Sequence, residues 1–471
     1  MPDTNVARPA DRGDITWRFE KLEVHADGKM SRPAADALIM LTTGPYSGSV
    51  STYELSAAGV AAATATLAPH LELTPLDHSP RLSADVGAPV YLKRENRQLT
   101  RSYKARGAFH LINGLSEAER DRGVTCASAG NHGQGVAWSC ARLGIAGRVH
   151  VPASTPRQKR ERILTLGEGR VELIISGSTY DEASAAAQAE AEAYGAVFVH
   201  PFDDVRTILG QGSLAPEVVE QCRARTGRDP YAVVVPVGGG GLIAGMSLWL
   251  RENCPETKII GVEPAGAASM TAALAAGGPV TLDTVDTFVD GTAVARVGAL
   301  TYPIVRDLVD EVVTVAEGAV CTEMLSLYQV EGIITEPAGA LASTAVRLTR
   351  DPVPTDAPVV CIVSGGNNDV SRYSEIVERS LLHEGLRHYF LVTFPQEPGA
   401  LRRFLDEVLT ADEDIVTFEY VKKNNRETGP ALVGIELSRA GDLAALLERM
   451  DASPIRIEQV PPGSPLFAFL T

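Results

Sequence analysis

The segment RSYKARGAFH at residues 101–110 sets a single lysine, Lys104, between an aromatic residue, Tyr103, and a small-residue turn. After it, Ala105, Gly107, Ala108, Phe109, Leu111 and Ile112 form an apolar run compatible with one face of a helix. A lysine in water has a pKa of about 10.4 and is a poor nucleophile at neutral pH. At a helix start among small neighbours, the same amine can combine with a carbonyl group and later serve as a base. A solvated surface lysine is the ordinary alternative, and the rest of the chain decides between them.

Three strand ends offer partners for such an amine. CASAGNHGQG (126–135) runs a strand into Ser128, Gly130, Asn131 and Gly133. VVVPVGGGGLIAG (233–245) places Gly238, Gly239, Gly240 and Gly241 between a strand and a helix, with Leu242 next. VVCIVSGGNND (359–369) ends in Ser364, Gly365, Gly366 and Asn367. In open parallel sheets, ligands bind beyond the carboxyl ends of the strands. Successive glycines let backbone N–H groups close around an anion, and the following helix start adds a favourable dipole. No Lys-Ser or Lys-Thr follows, so the usual nucleoside-triphosphate loop is excluded. Gly239, Gly241 and Ala244 also fit G-x-G-x-x-A, and Glu263 ends the next strand where a ribose-binding acid would sit. An NAD-linked oxidoreductase therefore stays open at this point. Pyridoxal phosphate needs an amine, an anion cradle and polar partners for its ring oxygen and ring nitrogen. Lys104, the glycine tetrad, Asn131 and Ser364 supply one of each.

These residues need rigid elements behind them. From about residue 56 to 380, short β-branched runs (VTCAS, RVHVP, VELIIS, AVFVH, AVVVPV, KIIGVE, EVVTV, VVCIVS) alternate with Ala-rich helical runs. That alternation predicts an α/β fold of open, mostly parallel sheets with helices on both faces. SAAGVAAATATLA (56–68) reads as a first helix opened by a serine cap. Beyond about residue 388 the order becomes βαββαβ, a ferredoxin-like unit. The expected division is a poorly ordered extension over 1–55, a catalytic part over 56–382 with a smaller subdomain around 100–200, and the terminal unit over 388–471.

The totals set outer bounds. With 45% hydrophobic and 22% charged residues among 471, the chain can bury a large core in two or three domains. A net charge of −16 and a pI near 5.1 argue against nucleic acid or anionic membrane as a partner. Six scattered cysteines, without a CxxC pair, read as reduced thiols of a cytoplasmic protein rather than a zinc site or disulfide framework. The N-terminus has no apolar core of the signal-peptide kind. YAVVVPVGGGGLIAGMSLWL (231–250) has the length of a membrane span, but its proline and glycines predict a strand, a turn and a buried helix.

The motifs KRENRQLTRSYKARGA, ASAGNHGQGVA, VPVGGGGL, EPAGA and SGGNND occur in the order and spacing of a known family. From about residue 56 to 471 the chain resembles the threonine dehydratases, of the tryptophan-synthase-β type of pyridoxal-phosphate enzymes. The last unit is similar to that family's ACT-like regulatory domain, present once, as in the shorter bacterial biosynthetic form. The resemblance implies elimination of ammonia from L-threonine to give 2-oxobutanoate, the first committed step of isoleucine biosynthesis. Lys104 would be the Schiff-base lysine, and Tyr103, commonly phenylalanine in the family, would pack near the ring. Asn131 would face the ring oxygen, Ser364 the ring nitrogen, and Gly238 to Leu242 the phosphate. Ser128, Gly130, Asn131 and His132 would bind the substrate carboxylate. Gly133 replaces a frequent alanine, and Glu336 matches a glutamate near the ring or a cation site. In the regulatory unit, the turn QEPGAL, with Pro398, Gly399 and Ala400, would lie near an effector. Isoleucine as inhibitor, valine as its antagonist and a homotetramer are implied as well. A serine dehydratase or racemase of the same fold is the near alternative, because one methyl group is discriminated only modestly.

Overall fold

The β-branched runs become strands wherever both faces can be covered. The computed structural model describes residues 53–348, 353–420 and 426–461, together with Ser464 and Phe467. The expected extension over 1–55 lies outside the described residues up to residue 52, and Leu55 is already buried in the core. In chain order the strands are β1 (Leu76–His78), β2 (Val90–Arg94), β3 (Val124–Ala127), β4 (Gly147–Val151), β5 (Val171–Ile175), β6 (Val197–Phe198) and β7 (Ala232–Pro236). They continue as β8 (Lys258–Pro264), β9 (Glu311–Val315), β10 (Val359–Val363), β11 (Arg387–Pro395), β12 (Glu413–Tyr420), β13 (Thr428–Leu437) and β14 (Arg456–Gln459).

A six-stranded sheet has the order β1-β2-β10-β7-β8-β9, parallel throughout except for β1 against β2. β7 (AVVVP) and β10 (VVCIV) at its centre are buried at every residue, the continuous apolar run that a strand covered on both faces requires. Each fully buried valine contributes roughly 1.5–3 kcal/mol of transfer free energy. One face packs on the helices Ala57–Leu67, Val205–Gly212 and Gly241–Asn253, the other on Glu317–Glu331 and Pro337–Ala345. The first of these helices opens at Ser56, whose hydroxyl accepts from Gly59 N. A second parallel sheet, β5-β4-β3-β6, forms the smaller unit. The C-terminal sheet is antiparallel, β12-β13-β11-β14, with helices Ala400–Val408 and Leu443–Ala452 giving the βαββαβ order.

Two elements add to or depart from the sequence expectation. β2 (VYLKR), which ends in two cations, is an inner strand that is not among the runs read as strands. Lys93 is nevertheless fully buried, because Glu217 Oε2 at 2.7 Å, Gln221 Oε1 at 3.0 Å and the Thr74 carbonyl at 2.8 Å take its three N–H donors. AVFVH shrinks to the two residues of β6, because the chain leaves the sheet for the loop His200–Asp204. The apolar stretch 231–250 divides into β7, the glycine turn and the start of a buried helix. Among the described residues no helix is long and apolar enough to cross a membrane. All six cysteines are buried and free.

Candidate active site

Lys104 is the first residue of the helix Lys104–Asn113, and the helix is anchored from below. Arg106, almost fully buried, binds both oxygens of Glu95 at 2.9 Å and both oxygens of Glu217 at 2.7 and 2.9 Å. Burial alone would push the Glu95 carboxyl up, but Arg106 overrides it and holds the group below its ordinary range. Two turns of chain therefore stand on a paired-charge block, and Lys104 projects from the other side of it.

The third strand end wraps over the start of this helix. Tyr103 N donates to Ser364 O at 3.1 Å, Gly366 N to Arg101 O at 2.9 Å and Asn367 Nδ2 to Thr100 O at 2.8 Å. Ser364 Oγ donates to Ala338 O at 3.2 Å. The loop passes so close to the helix Pro337–Ala345 that a Cβ on Gly339 would collide with Gly365 O. The EPAGA motif thus supplies the small residue this crossing needs.

Asn131 begins the helix Asn131–Leu143 at the end of β3. Its Nδ2 donates to Glu336 Oε1 at 2.6 Å and its Oδ1 accepts from Asn367 Nδ2 at 2.7 Å, which fixes the amide orientation. One Nδ2 hydrogen is left for a ligand oxygen. Burial, then Asp290, pushes the Glu336 carboxyl up to about 7. Burial lowers Lys104 to about 8, against the pull of Glu336. Its Nζ donates to Pro201 O at 3.1 Å and stands 5.3 Å from the centre of the Tyr103 ring. The Tyr103 phenol is raised by burial and by Glu336, so it stays neutral.

The structure places Ser128, Gly130 and Asn131 at one helix start, where Ser128 Oγ accepts from Gly130 N at 3.2 Å. His132 Nε2 donates to Val199 O at 2.8 Å, and burial followed by Lys104 lowers it to about 3, so the imidazole is a neutral strut. Its backbone N–H lies in the first helical turn, where donors have no intrahelical acceptor.

The glycine tetrad meets a direct test as an anion cradle. None of the N–H groups from Gly238 to Ile243 donates to another described group, and they open a 13-residue helix. Gly240 has φ +91°, a conformation that side chains disfavour. A Cβ on Gly239 would collide with the Phe202 ring, and one on Gly238 would come within 3.0 Å of Thr292 Cα. Six free donors at a helix start, a cleft lysine with a lowered pKa, Asn131 and Ser364 fit pyridoxal phosphate. By contrast, Glu263 is not free for a ribose. Its carboxylate accepts from Met270 N at 2.7 Å, Thr271 N at 2.8 Å and Thr271 Oγ1 at 2.7 Å, capping the helix Ser269–Ala276. The dinucleotide alternative loses its acid.

Sequence reasoning missed Pro201 and Phe202, which bring the loop after β6 against Lys104 and the glycines. The rule that ligands gather at strand ends points to β6 as well as to the other three, so the signal was present. It also missed Arg106, whose role depends on a partner 111 residues away, and it named Asn367 at its strand end without the Asn131 contact 236 residues away.

Residues 67–365 match the profile described as pyridoxal-phosphate dependent enzyme. This chain belongs to that family. Within it, residues 378–470 of this pyridoxal-phosphate enzyme match the C-terminal regulatory domain of threonine dehydratase. The biosynthetic L-threonine dehydratase IlvA of Mycobacterium tuberculosis is 59% identical over 420 residues, 89% of this chain and 96% of that protein. The IlvA of Bacillus subtilis is 47% identical over 397 residues, 84% and 93% of the two chains. Among solved structures, the processed form of threonine deaminase isoform 2 from Solanum lycopersicum aligns with TM-score 0.65 at 36% identity, over 74% of this chain and 99% of that one. Maize serine racemase aligns with TM-score 0.62 at 31% identity, over 69% and 97%.

Proposed function

We propose that this pyridoxal-phosphate enzyme is a threonine ammonia-lyase that converts L-threonine to 2-oxobutanoate and ammonia in isoleucine biosynthesis. The observation that carries the reading is the loop Pro201–Phe202, which binds the Lys104 amine at 3.1 Å and lies against Gly239, whose N–H, like those through Ile243, has no acceptor among the described residues. Lys104 would anchor the cofactor through its amine, the glycine loop and Leu242 would hold its phosphate, and Asn131 and Ser364 would face its ring oxygen and nitrogen. When bound, the cofactor supplies an electron sink for breaking the Cα–H bond.

The chain's own groups do the rest. Near neutral pH a useful fraction of Lys104 is free base, poised to take the Cα proton of threonine. The first turn of the helix at Asn131, with Ser128 and Gly130, presents donors to the substrate carboxylate. Ser364 would face the ring nitrogen with a neutral hydroxyl in place of a carboxylate, an environment that would favour loss of the β-group over transamination. L-Serine, one methyl group smaller, is a second substrate to expect.

The proposed division is catalytic over 56–382 and regulatory over 388–471. Pro398, Gly399 and Ala400 form the turn from β11 into the next helix, with Gly399 at φ +89°. We assign this turn to an effector site for isoleucine and valine, in a cytoplasmic homotetramer. The test is a visible spectrum of purified protein followed by L-threonine. A cofactor band that shifts, 2-oxobutanoate formation, and a loss of both by at least about a thousandfold in Lys104→Ala are expected. Protein that develops no band with added pyridoxal phosphate overturns the reading.

A further inference from the structure

The glycine tetrad is braced from behind by a residue that no motif announces. Gly239 O accepts from Thr301 Oγ1 at 2.6 Å and from Gly298 N at 3.3 Å. Thr301 is fully buried and begins the helix Thr301–Leu308. No peptide here is cis, so the Gly239 C=O and the Gly240 N–H lie in one plane and point in opposite directions within it. Fixing the carbonyl on Thr301 therefore turns the Gly240 N–H away from that helix, toward the side where the tetrad's donors have no acceptor among the described residues. The φ of +91° at Gly240 is the backbone conformation this turn demands.

Thr301 is in turn placed by Asp203. The Asp203 carboxylate accepts from Ala299 N at 2.9 Å and Leu300 N at 2.8 Å, the two residues that lead into the helix. Both carboxylate oxygens are thereby engaged, so the charge faces donors of its own. Gly298 completes the junction, since a Cβ there would collide with Asp203 and sit 2.7 Å from Thr301 Oγ1. The loop that carries Asp203 also carries Pro201, the acceptor for Lys104 Nζ, and Phe202, whose ring lies on Gly239. One loop thus sets the amine and the anion cradle at a fixed separation.

We propose that Thr301, set in place by Asp203, is a positioning residue that aims the Gly240 N–H at the phosphate of the cofactor. This rests on the reading of Gly238–Gly241 as the phosphate cradle. The experiment titrates the apo-protein with pyridoxal phosphate and, separately, with pyridoxal, which lacks the phosphate. Phosphorus NMR of the bound cofactor reports the cradle directly. Thr301→Val removes the hydroxyl at nearly constant volume. Its Kd for pyridoxal phosphate should rise roughly tenfold, the scale of one lost hydrogen bond to a charged group. Its affinity for pyridoxal should stay unchanged, and Thr301→Ser should restore the wild-type Kd and phosphorus shift. Asp203→Asn should weaken pyridoxal phosphate in the same selective way. A Thr301→Val protein with wild-type Kd, or one that loses both ligands by the same factor, overturns the proposal. Should Thr301→Val not fold, a wild-type Kd in Asp203→Asn overturns it equally. Wild-type protein that binds no pyridoxal phosphate would remove the cradle itself; wild-type binding with no selective loss in the variants removes only the role of Thr301.

Discussion

At the scale of single residues, the site is a set of groups whose charge states are tuned by burial. Glu336 illustrates the consequence for stability. Its folded pKa of about 7 lies above the ordinary carboxylate value, so the native state holds a proton that the unfolded chain releases. Stability contributed by this group is full below the unfolded pKa and falls as pH rises, until ionisation in the fold is complete above about 7. Glu336→Gln should therefore gain stability relative to wild type between pH 5 and 8, by up to about 3 kcal/mol in the apo-protein. Urea unfolding across that range checks it, and a difference independent of pH would contradict the assignment. Ser364 makes the second case. An aspartate in its place would set a carboxylate against the Ala338 carbonyl, now an acceptor at 3.2 Å, and would hold a proton on the ring nitrogen. Ser364→Asp should lower threonine turnover by at least about tenfold. Unchanged steady-state kcat would sink that account.

At the scale of elements, the helix Lys104–Asn113 is positioned by ions and not by an end cap. Tyr103, at its N-cap, makes no side-chain capping bond, and the helix is held by the Ser364 loop above and Arg106 below. Arg106 meets Glu95, which is wholly buried, and Glu217, so its removal leaves a carboxylate in the core without its cation. Arg106→Leu should cost about 3–5 kcal/mol of folding stability. Denaturant midpoints measure it, and a cost below about 1 kcal/mol would mean the block is dispensable.

At the scale of the whole molecule, the shortest chain route from the cofactor site to the regulatory sheet is the helix Tyr373–His383. It follows the Ser364 loop and leads into β11. Arg372, at the N-cap of this helix, and Arg379 within it stack on Phe288 at 4.7 and 4.3 Å, and Arg372 Nη2 donates to Phe288 O at 2.8 Å. On the regulatory side, Glu378 accepts from Tyr389 Oη at 2.9 Å and pairs with Arg387, both in β11. An effector bound beside Pro398 would act on the far end of that same strand. Glu378→Gln should then shift the isoleucine concentration needed for inhibition while leaving the uninhibited kcat unchanged. Inhibition curves with and without valine decide this, and coincident wild-type and variant curves would place the coupling elsewhere.

The sequence by itself determined the alternation of apolar strands and small-residue helices, the βαββαβ ending, and the residue types at three strand ends. These are local properties: β7 and β10 are continuous apolar runs, and Gly240 needs a conformation few residues adopt. Tertiary structure decided what identical letters do. EPAGA occurs at 263–267 and 336–340, yet Glu263 is consumed by a helix start while Glu336 faces Asn131. Lys93 in β2 and His132 in the first turn after β3 likewise acquired their roles from Glu217 and Val199, both distant in the chain. A buried polar group takes its function from whichever partner satisfies it, and in this fold that partner is brought by a different strand end.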